Sequence, residues 1–170
     1  NAAGGDARAY TCNVAREADV EATFASIIED FGQLNGVINN AGIGMIGEIQ
    51  TTDPAEIQRM IFLNVNTLTD LTYRALPGML ERGHGAVINV SSVAGFQPVA
   101  FMAAYSASKS YVLHFSEALW AEARSRGVTV MALCPGSTET EFFDTAGAPG
   151  WLEKHSSQTP SKVVRTALTA

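Results

Sequence analysis

Tyr105 and Lys109 lie four residues apart in the run AYSASKSYV, residues 104 to 112, among the small side chains Ala104, Ser106, Ala107 and Ser108. On an α-helix, residues i and i+4 share a face one turn apart. The phenol and the ammonium would then address one small volume. A phenol beside a fixed positive charge is suited to proton exchange. Small neighbours leave room for a ligand to approach that face. Taken alone, the pair also reads as a solvated Tyr/Lys pair on an exposed surface.

The elements that would carry this pair follow from patterning. Strong helix formers continue through YVLHFSEALWAEARSRG, with Gly127 as C-cap. Upstream, ARAYTCNV reads as a strand, EADVEATFASIIEDFGQ as a helix with Val20, Phe24, Ile27, Ile28 and Phe31 on one side, and LNGVINNAG as a short strand ending in a turn. A long helical region then runs from Thr51 to Gly83, started by Asp53 as N-cap, Pro54 at the first helical position and Glu56 closing a capping box. GAVINVSS and VTVMALCPG are continuous apolar, β-branched runs. Apolar strands alternating with helices predict a parallel sheet covered on both faces, an α/β, doubly wound, Rossmann-like fold.

The chain has 170 residues, 46% of them apolar, which suits a single domain, 1–170, with a real core. A net charge of −6 and a pI near 5.0 argue against nucleic acid or an anionic membrane as partner. No run is long and apolar enough for a membrane span. Cys12 and Cys134 show no metal spacing; buried free thiols in a reducing, cytoplasmic compartment are expected. Residues 1 to 10 read as a helix end entering a strand, and the final residues stop within a helical pattern, so both ends are expected to be truncations.

Ligands of open parallel sheets bind beyond the carboxyl ends of the strands. Three clusters fall there: NNAG (39–42), SSVAG (91–95) and PGSTET (135–140). With Ser92 thirteen residues before Tyr105, the YSASK motif, Pro135-Gly136 followed by Thr140, and Asn64 twelve residues before Leu76, the chain resembles the short-chain dehydrogenase/reductase family in its compact, non-extended branch.

That resemblance implies an NAD(P)-dependent oxidoreductase moving a hydride between a nicotinamide cofactor and a carbonyl or secondary alcohol. Tyr105 would be the general acid or base, its pKa lowered by Lys109, which would also bond the nicotinamide ribose. Ser92 would hold the substrate oxygen, and Asn64 a water for proton relay. Asn66 competes with Asn64 for that role, and Ser92 could equally cap the turn after its strand. Cofactor contacts would come from Asn13, Val14, Asn40, Ala41, Gly42, Tyr105, Lys109, Pro135, Gly136, Thr138 and Thr140. NAD or NADP is implied, NADP slightly ahead. Phe96 to Met102 and Phe142 to Trp151 would border an apolar substrate. Tyr111, Ala118 and Trp120 leave apolar surface on the 105–126 helix, as a homodimer or homotetramer would require.

One family feature is missing. No Gly-rich turn leads from a strand into a helix to receive a pyrophosphate, since Gly4-Gly5 is too short, so the first strand–helix–strand unit is expected to be absent. Three other readings compete: a serine hydrolase, which would want a G-x-S-x-G frame around Ser91 or Ser92; an extended-branch sugar-nucleotide enzyme; and a non-catalytic cofactor-binding or structural protein of the same fold.

Overall fold

Parallel strands need neighbours for their backbone groups, and three of the apolar runs find them. In the computed structural model, which describes residues 5–169, Gly36–Asn39 (β1), Gly85–Val90 (β2) and Val128–Leu133 (β3) pair in parallel in the order β1-β2-β3. The register sets Val37 beside Val87, Val87 beside Val130, and Asn39 beside Asn89. Helices intervene: α1 (Glu17–Phe31), α2 (Pro54–Ile61), α3 (Leu68–Arg82), α4 (Ala103–Ala123), the short α5 (Phe142–Thr145) and α6 (Trp151–Lys154), and α7 (Pro160–Thr169). Among the described residues, no helix is long and apolar enough to cross a membrane.

The period-two alternation of the strands sends Val37, Val87 and Val130 to one face. There Ala75 and Met79 of α3 and Leu119 and Ala123 of α4 pack against Val87, Val128 and Val130, with Phe24 of α1 alongside. The opposite face is less covered than expected. Ile38 is 64% exposed, because α1, α3 and α4 all give their apolar stripes to the first face. Along α1 the expected stripe is only partly used: Val20 is buried, while Ile28 and Phe31 remain exposed.

Two further expectations are corrected. ARAYTCNV is not a strand: residues 5 to 12 run without sheet pairing. Among the described residues no strand pairs with that stretch, and an extended segment forms a ladder only against a neighbouring strand. Side chains anchor it instead, since Arg8 ion-pairs with Asp30 on α1 and the Tyr10 hydroxyl donates to the same carboxylate. The helix end read at residues 1–4 lies outside the described residues.

The long helix from Thr51 is broken as well. It starts as expected, with Asp53 Oδ1 accepting from the Ala55 N–H at 2.9 Å and Pro54 at the first position. Glu56 does not reach back to close a capping box; its carboxylate pairs with Arg59 at 2.7 Å. From Phe62 to Thr67 the helix widens into one π turn before continuing as α3. At the far end, α3 and the turn after α4 stop on left-handed Gly83 (φ 69°) and Gly127 (φ 76°). A β-carbon on Gly127 would fall 2.0 Å from the Gly83 carbonyl oxygen, so only glycine permits these two ends to meet.

Candidate active site at the carboxyl edge of the sheet

The three clusters expected at one edge follow directly on the ends of β1, β2 and β3. Helix α4 begins after the second cluster and carries Tyr105 and Lys109 to the end of β2. Both are 6% exposed, so the solvated-surface reading fails. Lys109 Nζ lies 5.9 Å from the centroid of the Tyr105 ring and donates to the Val90 carbonyl at 2.8 Å.

Ser92 does two things. Its Oγ accepts from the Ala94 N–H at 3.1 Å, capping a 3₁₀ turn over Val93–Gly95. The same hydroxyl is placed to hydrogen-bond the Tyr105 phenol, which favours the phenolate. Burial outweighs it and pushes the phenol above its ordinary value. Burial also pushes the Lys109 ammonium down to about 8, opposed weakly by the nearby Cys134 thiol. The influence of Lys109 expected on the tyrosine does not appear in this geometry: desolvation governs both groups, and the ammonium is turned to a backbone carbonyl. Cys12 and Cys134 are free but half-buried rather than buried, and burial pushes the Cys134 thiol up.

The structure separates Asn64 from Asn66. Asn66 is exposed, whereas Asn64 is 1% exposed and occupies the π turn. An extra residue in a helical turn displaces a side chain from the regular spiral, and such turns recur at functional sites. Asn64 clamps the loop after NNAG from both sides: Oδ1 accepts from the Ile43 N–H at 3.0 Å and Nδ2 donates to the Ile43 carbonyl at 2.9 Å. Nδ2 also donates to Ser108 Oγ at 3.1 Å, and Ser108 donates to the Tyr105 carbonyl at 2.7 Å. Ser108 thereby ties Asn64 to the tyrosine-bearing turn of α4. Sequence reading took it only as a small neighbour, although its position three residues after Tyr105 was the available signal.

Asn40, Ala41 and Gly42 are exposed at the end of β1. A β-carbon on Gly42 would lie 3.1 Å from Asn64 Oδ1 and 3.5 Å from Lys109 Nζ. The bare glycine therefore keeps both polar groups within reach of whatever lies on the loop. Pro135, Gly136 and Thr138 are half-buried beyond β3, with the Pro135 carbonyl accepting from Val93 N–H at 3.0 Å and Thr138 Oγ1 donating to Gly136 O at 2.9 Å. Thr140 is exposed one turn on. Asn13 and Val14 form a turn before α1, Asn13 Oδ1 accepting from Ala15 N–H at 3.1 Å and the Val14 carbonyl from Thr67 Oγ1 at 3.3 Å. The exposed loop backbone, with the Lys109 ammonium and the Asn64 amide in reach, fits a ribose and nicotinamide; no glycine-rich helix entry among the described residues offers a pyrophosphate cradle.

A buried polar rail that sequence reading missed supports this edge. Asn39 Nδ2 donates to Asn89 Oδ1 at 2.8 Å and to Thr72 Oγ1 at 2.9 Å; Asn89 Nδ2 donates to Ser116 Oγ at 2.9 Å. It fastens the last turns of β1 and β2 to α3 and α4.

Comparison with known proteins agrees with this geometry. The family model described as short chain dehydrogenase matches residues 1–149. A curated relative, 2-(S)-hydroxypropyl-CoM dehydrogenase 3 of Xanthobacter autotrophicus, is 37% identical over 79% of this chain and 52% of its own length. A short-chain dehydrogenase from Sphingobium yanoikuyae, solved in complex with NADPH, superimposes with a TM-score of 0.84 at 32% identity, covering 93% of this chain and 61% of that one. A 3-ketoacyl-(acyl-carrier-protein) reductase from Brucella melitensis, complexed with NADH, gives 0.82 at 26% identity over 92% of this chain and 67% of that one. The chain spans about half the length of the curated relatives it matches. On the family match, the relatives and the parallel sheet with its carboxyl-edge motifs, the chain belongs to the short-chain dehydrogenase family.

Proposed function

We propose that the protein is an NAD(P)-dependent oxidoreductase acting on a small carbonyl or secondary alcohol substrate, with Asn64, Ser92, Tyr105 and Lys109 as its working residues. The observation that carries this is the convergence of a buried phenol, a hydroxyl within hydrogen-bonding reach of it and a buried ammonium at the end of β2. A bound nicotinamide dinucleotide supplies or accepts the hydride. Everything else falls to the chain. Ser92 and Tyr105 receive the substrate oxygen, and Tyr105 gives it a proton in reduction or takes one in oxidation. Lys109 carries charge near the Gly42 loop, where it can bond a ribose hydroxyl. Asn64 holds that loop and leaves an oxygen beside it for a relay water.

The same reading gives the cofactor contacts to Asn13, Val14, Asn40, Ala41, Gly42, Tyr105, Lys109, Pro135, Gly136, Thr138 and Thr140, and treats 1–170 as one domain. NADP is slightly favoured over NAD. The exposed Tyr73 of α3 and Tyr111 and Trp120 of α4 support a homodimer or homotetramer built on these helices, and two free thiols suit a cytoplasmic setting. Fluorescence titration of the intact protein with NADH and NADPH, followed by a ketone screen with the bound cofactor, tests the proposal. Saturable binding and ketone-dependent oxidation of the cofactor support it; failure to bind either cofactor sinks it and favours a structural role.

A further inference from the structure

We infer that Gln158 is a further cofactor-binding residue, its side-chain amide donating to the carboxamide oxygen of the nicotinamide. The inference rests on the reading of a nicotinamide cofactor and adds the group that holds the polar substituent of its ring. Gln158 is remote in sequence from the PGSTET loop but is bonded into it. Its N–H donates to the Ser137 carbonyl at 2.9 Å and its carbonyl accepts from the Glu139 N–H at 3.0 Å, the rungs of a short parallel bridge to Thr138. The flanking residues reinforce this placement. Ser157 Oγ donates to Glu139 Oε1 at 3.1 Å, and Thr159 Oγ1 accepts from the Lys162 N–H at 3.3 Å at the start of α7. A residue held by both of its backbone groups in such a bridge has the direction of its side chain set as well.

That direction is toward Gly136. Apart from its chain neighbours, a β-carbon on Gly136 would meet one atom within 4 Å among the described residues, Gln158 Nε2 at 4.0 Å. The space over the glycine is therefore open, with an amide donor at its rim. Gly136 stands beside the reacting groups, because the Pro135 carbonyl before it accepts from the N–H of Val93, the neighbour of Ser92. The part of a dinucleotide that belongs there is the nicotinamide, whose carboxamide presents an oxygen acceptor. The threonine hydroxyls of the loop are already committed: Thr138 Oγ1 donates to the Gly136 carbonyl at 2.9 Å and Thr140 Oγ1 to the Thr138 carbonyl at 3.4 Å. The half-buried Gln158 side chain has no hydrogen-bond partner among the described residues, so its N–H groups are available to a ligand. A neutral amide suits a neutral carboxamide; a phosphate is held more strongly by charged donors.

Calorimetric titration of the intact protein tests this without requiring turnover. The ligands are the nicotinamide dinucleotide, its thionicotinamide analogue, whose sulfur is a poor acceptor, and ADP-ribose with the matching ribose substitution, which lacks the ring. Gln158→Met keeps the side-chain length and the backbone bridge but removes the donor. It should raise the Kd of the dinucleotide about three- to tenfold, as the loss of one neutral hydrogen bond does, and leave that of ADP-ribose unchanged. The parent should lose a similar factor on the thionicotinamide analogue, whereas Gln158→Met should bind the two dinucleotides alike, because both changes remove one bond. Gln158→Glu, which keeps the shape and turns the donor into a charged acceptor, should weaken the dinucleotide further; it also replaces Gln158→Met should circular dichroism show that variant misfolded. An unchanged dinucleotide Kd in the folded variants overturns the inference, as does an equal loss for ADP-ribose, which would make Gln158 a structural brace only. A parent that binds none of the three ligands removes the cofactor reading and this inference with it.

Discussion

The Ser91 hydroxyl donates to the backbone carbonyl of Lys109 at 2.7 Å, so the lysine is held by its main chain as well as by its ammonium. The contact is close because Gly95 presses on the same point: a β-carbon there would lie 2.8 Å from the Lys109 oxygen and 3.0 Å from Ser91 Oγ. Backbone cannot yield as a flexible side chain can. Gly95→Ala is expected to destabilise the fold by about 1–3 kcal/mol and to lower turnover, since relief requires α4 to move away from β2. Urea midpoints and kcat measured together check this; a variant of parental stability would contradict it.

Lys109 makes stability depend on pH in a defined sense. Its folded pKa, about 8, lies below the ordinary 10.5. Between these values the unfolded chain binds more protons than the folded one, so stability rises with pH there. The penalty is full below pH 8 and relieved on approach to 10.5, a swing of about 3 kcal/mol at 1.36 kcal/mol per unit. Lys109→Met lacks it. Urea denaturation of both proteins from pH 7 to pH 10 should show the parent gaining on the variant; parallel curves would refute the assignment.

Burial keeps the Tyr105 phenol protonated through neutrality, and Ser92 works against that. Reduction, which needs the phenol, should vary little between pH 6 and 8, whereas oxidation should quicken as the pH rises. Ser92→Ala should move the rising limb of the oxidation profile to higher pH. Tyr105→Phe should cost roughly 10²–10⁴-fold in kcat/KM, a far larger effect than any weakening of cofactor binding in the same titration.

The Asn39–Asn89 bond gives a stability prediction remote from any chemistry. Asn89→Ala removes one of the two acceptors of Asn39 Nδ2 and the donor to Ser116 Oγ in a fully buried place. A loss of about 2 kcal/mol is expected. Asn39 Oδ1 already lacks a partner, so the rail has no spare bond to absorb the change. A midpoint within error of the parent would show the rail to be energetically idle.

Much of this was legible in the sequence because it is local. Asp53-Pro54 starts a helix wherever it stands, Gly127 ends one, and the YSASK spacing places two side chains on one face of any helix. Three apolar runs became strands because they could pair with one another. ARAYTCNV has the same composition but no strand to pair with among the described residues, and pattern alone does not show that. The π turn was also hidden, since 3.6-residue periodicity continues on either side of it. Ser91, Ser108 and Gly44 matter through contacts 18 to 98 residues away in the chain, with Lys109, Asn64 and Phe142. Such contacts leave no local trace beyond a small residue.

The widened turn at Phe62–Thr67 changes what a deletion would do. Removing one residue from an ordinary α-helix rotates everything beyond it by about 100°. Here the surplus residue is already stored in the turn, so its removal restores a regular spiral and leaves the Met60 and Met79 faces directed as before. What would be lost is the outward displacement of Asn64. Evolution or an engineer could therefore strip this site of its asparagine clamp by a single codon without unfolding the helix that bears it.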